Sequence, residues 1–384
     1  MRKIQCVMTL AAMAFTLSAC GALFDKDNTP TPAPLVAFTP EITPHKLWST
    51  QVGSGAHGEY LKLPIALSED RLFSASQNGY VTATDRLTGK TIWRRYVDLS
   101  ITSGVSVGDH QVFIGGRDGS VAALEKTDGK LLWKAYASSE ILAPVTAGHG
   151  VVIAKSIDDR LTAFSAAEGH PLWHYQKTVP GMILHGSSAP QLTHDSVIAG
   201  FEDGTLSRLS LRQGHLAWQQ VIAIPEGSFL IQRMVDIDAD PIIVGDKVYV
   251  ATYQGQVAAL ELANGNILWT HAISSYSGMA ADASQVYVSD AQGRLWAFNA
   301  HNGEVNWQQT GLTARNITGP ALIGPYLVVG DAEGYLHWIN KQNGKFVARV
   351  SVNRSGILAT PIADHGVLYI YTKDGLLQAY QTVS

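Results

Sequence analysis

The sequence predicts an all-β fold: an eight-bladed β-propeller of four-stranded antiparallel blades, its ring closed by an N-terminal strand that completes the last blade. Three observations predict it. A turn residue opens a recurring phrase at Gly79, Gly119, Asp159, Gly204, Gly255, Gly293, Gly334 and Gly375, at intervals of 38 to 51 residues. A second glycine follows ten residues later (Gly89, Gly129, Gly169, Gly214, Gly265, Gly303 and Gly344), and four further on stands Trp93, Trp133, Trp173, Trp218, Trp269 or Trp307, with Ala348 the exception. Finally, the two ends of the repeat are complementary. The last phrase, "KDGLLQAYQTVS", stops before its tryptophan strand, whereas "HKLWSTQV" is a tryptophan strand without a blade, so Trp48 completes blade eight.

Each phrase reads as strands. "VFIGGRDGSVAAL" is two alternating runs about an Asp-Gly hairpin signal, and "KTDGK" is a second turn in which glycine supplies positive φ. "LLWKAY" is the strand that follows. Upstream, a further strand often opens on proline, at Pro64, Pro144, Pro190, Pro241, Pro320 and Pro361, the first residue of a strand being where the missing N–H costs least. Asp159 replaces glycine in a position where a short polar side chain tolerates the turn. The seven tryptophans, recurring around the whole ring, are assigned to packing between blades rather than to stacking on a sugar or cofactor.

Ahead of the repeat the chain divides into residues 1–19, a signal peptide, and 20–44, a tether, with the propeller at 45–384. Arg2 and Lys3 precede a short apolar stretch, too short to span a bilayer, which ends in Leu17-Ser18-Ala19-Cys20. That ending resembles the bacterial lipobox, which implies cleavage before Cys20 and lipidation of its thiol. Of the two cysteines only Cys20 would remain, so no disulfide is expected. Gly21 and Ala22 lack the aspartate of the inner-membrane retention pattern, implying anchoring to the periplasmic face of the outer membrane. The tether carries Pro30, Pro32, Pro34, Pro40 and Pro44, a composition that favours extended polyproline geometry.

The composition excludes several functions. A net charge of -4 without a Lys/Arg cluster gives no field for phosphates, so no nucleic-acid partner is expected. No HExxH, CxxC or P-loop motif is present. His170, His174, His185, His194 and His215 are scattered over different strands and turns, so neither catalytic residues nor metal ligands are assigned. The acidic residues fall mostly in turns. Connections between blades are more informative. Trp173 to Pro190 spans 17 residues and Trp218 to Pro241 spans 23, the longest counted, and they are adjacent. "HYQKTVPGMILHGSSAP" and "QQVIAIPEGSFLIQRMVDIDADP" carry Met182, Ile183, Leu184, Phe229, Leu230 and Ile231, which either cover a neighbouring blade or meet a partner.

"GSVAALEKTDGKLLW" resembles the quinoprotein-type repeat of PQQ-dependent dehydrogenases, over residues 45 to 384. With the lipobox, the tether and eight repeats, the chain resembles the assembly-factor lipoproteins of the bacterial β-barrel assembly machinery. "VDIDADPIIVGDKVYVATYQGQVAALELANGNILW" and "LVVGDAEGYLHWINKQNGKFVA" fit that family closely. The resemblance implies a non-enzymatic, cofactor-free subunit docking on the POTRA domains of a BamA-like barrel-inserting protein and assisting nascent outer-membrane proteins. By motif, Met182, Leu184 and His185 fall on the family's Leu-x-Leu-Arg stretch before "SAP", and Asp236 and Asp238 on its Asp-x-Asp. His185 stands where the family has arginine and loses a permanent charge. The expected interface is an anchor of Met182, Leu184 and Phe229, steered by Arg233, Asp236 and Asp238, with turn capping as the alternative role of the two aspartates. Outer strands of blades offer a second surface, for extended clients. A PQQ-dependent dehydrogenase would need a quinone, calcium, a carboxylate base and an adjacent Cys-Cys pair that the mature chain lacks. A cell-envelope propeller with an unrelated partner remains open from the residues alone.

Overall fold

Because each repeat is a four-strand meander that cannot bury its own faces, eight of them stack face to face around an axis. The computed structural model describes residues 30–177, 188–224 and 235–383. Among these, eight four-stranded antiparallel sheets form, seven built from consecutive strands. Blade 1 covers 66–96, and blades 2 to 7 cover 101–136, 146–176, 191–221, 242–271, 278–309 and 321–351. Blade 8 joins Ile362–Asp364, Val367–Tyr371 and Leu376–Val383 to Thr43–Gln51. Trp48 pairs with Ala379 and Thr50 with Leu377, so the first strand closes the ring as the repeat required.

Burial follows position in the blade. The middle strands are covered on both faces, and Val151–Ser156 is buried at every residue, which is why its sequence is a continuous run rather than an alternation. Outermost strands such as Leu131–Tyr136 alternate between half-buried and exposed. Five of the six prolines sit one residue before an innermost strand or two, and Pro64 likewise precedes Ala66–Ser68 by two. The opening turns have positive φ at seven of the eight expected residues, Asp159 included at 60°. Blade 5 departs from this: the left-handed residue is Gln254 (φ 49°), one place before Gly255. The alignment had assigned the turn to Gly255, whose missing Cβ instead leaves room for Thr252 Oγ1, 2.1 Å from where that Cβ would lie.

The tryptophans and second glycines meet across blade boundaries. Each of Gly89, Gly129, Gly169, Gly214, Gly265, Gly303 and Gly344 has positive φ, and a Cβ there would lie 2.5 to 2.7 Å from the indole of Trp48, Trp93, Trp133, Trp173, Trp218, Trp269 or Trp307 in the preceding blade. Each indole N–H then donates to a carbonyl in that same turn, from 2.8 Å (Trp307 to Lys341) to 3.2 Å (Trp269 to Ala300). Glycine lets the ring lie on bare backbone, and the indole satisfies a turn carbonyl that would otherwise face apolar surface. The blade 7–8 boundary explains Ala348. In blade 8 the last two strands are the chain's two ends, so no turn exists there for an indole to cap. Trp338 fills in from the neighbouring strand, donating to Thr382 Oγ1 at 3.2 Å and meeting Tyr380 edge-on.

Part of the segment that composition assigned to the tether packs on the propeller. From Ala33 the chain belongs to the compact body. Arg315 and Arg349 donate to the carbonyls of Ala33 and Val36 at 2.9 and 3.0 Å, Phe38 stacks on Phe346 at 5.6 Å, and Glu41 N–H donates to Val347 O at 2.9 Å. Arg315 is itself buried against Asp331 at 2.7 Å, and Asp331 meets His337 at 3.0 Å. The strap therefore covers the outer edge of blade 7.

A partner-facing end of the ring

In a meander, the first and third hairpins of every blade lie at one end of the ring, while the second hairpins and all connections between blades lie at the other. Three long connections reach this second end: 52–65, 177–190 and 222–241. The last two are the longest tryptophan-to-proline spacings of the sequence. The first, 52–65, is as long as 177–190 but follows Trp48, which stands ahead of the first blade and outside that count; its signal is the distance from Trp48 to Pro64.

Met182, Leu184 and His185, Phe229 and Arg233, and Cys20, the expected lipidation site, lie outside the described residues. The roots of their two connections are described and are joined. Ala189, where the first re-enters blade 4, donates its N–H to Asp240 Oδ1 at 2.6 Å, and Asp240 closes the second. Ile237 packs against Gly200, whose Cβ would sit 2.2 Å from its side chain, and the Asp236 carbonyl accepts from Tyr253 N–H at 2.8 Å. Lys177, at the start of the first connection, pairs with Asp203 at 2.6 Å. The two connections thus leave one rigid base.

Asp236 and Asp238 form part of that base. Their exposures are 1% and 8%, so they are buried rather than presented as open surface charges. Around them lie Asp159, Glu202 and Lys155, all buried. Lys155 Nζ donates to Gly200 O at 2.7 Å and lies 3.6 Å from Asp159. Glu202 N–H donates to Asp159 at 3.1 Å. Burial, then the neighbouring carboxylates, push Glu202 up to about 8, and burial with Asp236 raises Asp238 to about 6. Asp159 is raised chiefly by burial, with Lys155 opposing.

Beside this base an axial cavity of about 900 Å³ is lined by Tyr60, Lys62, Asp238, Asp240, Tyr253 and Tyr276, among others. Lys62 and Asp240 are open to the solvent of the cavity, and the protein crowded around them lowers Lys62 and raises Asp240. Among the described residues no group of three or more His, Cys, Asp and Glu is placed to hold a metal ion. His194 is not isolated, however: its ring meets His149 of the preceding blade edge-on at 5.2 Å, because both occupy the same first-hairpin position.

The fold recurs in quinohemoprotein alcohol dehydrogenase ADHIIG from Pseudomonas putida (TM-score 0.72, 11% identity, 88% of this chain and 76% of that one), a likeness of fold alone. The crystal structure of BamB from Moraxella catarrhalis superposes with a TM-score of 0.82 at 27% identity, over 88% of this chain and all of that one. Two proteins named outer membrane protein assembly factor BamB are similar along nearly their whole lengths: that of Legionella pneumophila at 43% identity (92% of each chain) and that of Escherichia coli at 34% (94% of each). The sequence profile of the same family matches residues 45–309. The chain belongs to the family of outer membrane protein assembly factor BamB.

Proposed function

We propose that this protein is a non-enzymatic scaffold of outer-membrane protein assembly, anchored by lipid at Cys20 to the periplasmic face of the outer membrane. It docks on the periplasmic POTRA domains of a BamA-like protein and assists folding and insertion of nascent outer-membrane proteins. The observation that carries this reading is the shared base of the two long connections, tied through Ala189 and Asp240. A base of this kind presents two loops as one unit, which lowers the ordering cost when a partner binds both. In this reading Met182, Leu184, His185, Phe229 and Arg233 touch the partner, and the buried Asp236 and Asp238 are positioning residues that hold the loops. Their burial changes the test: a charge-reversed Asp236 would perturb the fold, whereas asparagine keeps the shape.

The experiment is affinity purification of the full-length tagged lipoprotein from gently solubilised membranes, with mass spectrometry of what co-elutes. Recovery of a POTRA-containing protein, lost on Leu184→Ala and reduced by Asp236→Asn, supports the reading. A propeller that elutes alone, or with an unrelated partner, overturns it. A quinone absorbance in the eluate would favour the dehydrogenase instead.

A further inference from the structure

The axial cavity is not required for loops to dock, and its chemistry is specific. Asp238, Asp240 and Lys62 line it, and the buried Asp159, Glu202, Asp236 and Lys155 lie within electrostatic reach of them. The other charges nearby are already matched, Asp203 with Lys177 and Asp290 with Arg294, each pair at 2.6 Å. Glu202 is 3% exposed, and its Oε2, within the cluster, has no hydrogen-bond partner. Such a group carries a desolvation cost that a cation would offset.

The lining is also aromatic. Tyr253 and Tyr276 lie with ring centroids 6.1 Å apart and planes at 60°, and Tyr60 stands beside them, largely exposed to the cavity. A cation already uses this lining. Lys62 Nζ donates to Tyr276 O at 2.9 Å and lies 5.7 Å from the Tyr276 ring centroid, within the attraction of Asp238 and Asp240. Carboxylates facing aromatic rings recognise ammonium and guanidinium groups.

We propose that this end of the axial cavity binds a basic side chain, a lysine or arginine carried on a loop of a partner protein, between the carboxylates of Asp238 and Asp240 and the rings of Tyr253 and Tyr276, with Lys62 the chain's own stand-in for that cation. The side chain's source rests on the partner-docking reading above, whereas its recognition is tested without any partner. The cavity opens at the end that carries the long connections, so a docked partner has direct access to it.

The test uses the full-length lipoprotein in detergent micelles and the peptide acetyl-Gly-Arg-Gly-amide, with its citrulline counterpart and putrescine as comparisons, followed by calorimetry at pH 7 in buffers of different ionisation heat. The arginine peptide binds with proton release, because Glu202, pushed up to about 8, holds a proton at pH 7 that a nearby cation displaces. Lys62→Met binds about ten-fold tighter, Tyr276→Leu about ten-fold weaker, and Asp240→Asn, which retains an acceptor for Ala189 N–H, also weaker. Equal binding of the citrulline peptide, or no binding by wild type and Lys62→Met alike, overturns the proposal. Loss of binding in Lys62→Met would make the site one for anions and overturn it too. Putrescine binding tighter than the peptide overturns the assignment to a partner's side chain. Co-purification of a POTRA protein decides the docking reading separately.

Discussion

Blade 3 contains a matched pair of glycines that isolates what an indole contact is worth. Gly150 and Gly169 have φ of +80° and +74°, so alanine at either bears the left-handed cost of about 1 kcal/mol. They differ in surroundings. Nothing lies within 4 Å of a Cβ at Gly150, whereas a Cβ at Gly169 would sit 2.5 Å from Trp133 Cδ2. The indole cannot retreat without breaking its 2.9 Å bond to Ala166 O, so overpacking adds about 1–3 kcal/mol. Gly150→Ala should therefore cost about 1 kcal/mol and Gly169→Ala roughly 2–4 kcal/mol. Urea unfolding of each variant, followed by tryptophan fluorescence, measures the difference. Equal midpoints for the two variants would show that the turn's backbone, and not the indole lying on it, sets the demand for glycine, and the account of the blade boundaries would fall.

Glu202→Gln should flatten the stability profile between pH 5 and 8. The folded protein holds the Glu202 proton up to about 8 against 4.5 for the free group, so its contribution is complete below pH 4.5 and is lost as pH rises through 8. Thermal unfolding should find the variant and wild type alike near pH 4.5 and the variant more stable by up to about 5 kcal/mol at pH 9. Arg315→Ala, leaving Asp331 buried beside His337 without its guanidinium, should cost about 3 kcal/mol and speed proteolysis of residues 33–42, read by mass spectrometry. Asp236→Lys should lower the urea midpoint by the equivalent of more than about 3 kcal/mol and Asp236→Asn by about 1 kcal/mol; equal midpoints would contradict the aspartate's burial.

What the sequence made legible was whatever recurs. Trp48 could be placed against the last repeat because seven other phrases defined what the eighth lacked. Single departures from the period were harder. Gln254 takes the left-handed conformation that alignment gave to Gly255, since a repeat fixes the turn but not which of two neighbouring residues bends. The strap was hidden because Pro and Thr dominate its composition, while the residues that hold it, Arg315, Phe346 and Arg349, lie some 280 to 310 positions away. Asp236 and Asp238 alternate with apolar residues as an exposed stretch would. Only the juxtaposition of three blades shows that both faces of that stretch are covered. Tyr60 and Lys62 escaped notice because nothing in their local pattern tells that they point to the axis.

The ring closure has a consequence in time. A chain is made from its N-terminus, and strand Thr43–Gln51 has no partner strand until Leu376–Val383 exists, more than 320 residues later. Intermediate blades can form and stack as they emerge, but the ring stays an open arc until the final strand arrives. Closure is thus gated by completion of the chain, and any product cut short before residue 376 would leave Thr43–Gln51 without its partner strand and the apolar faces of the terminal blades uncovered, surfaces prone to aggregation.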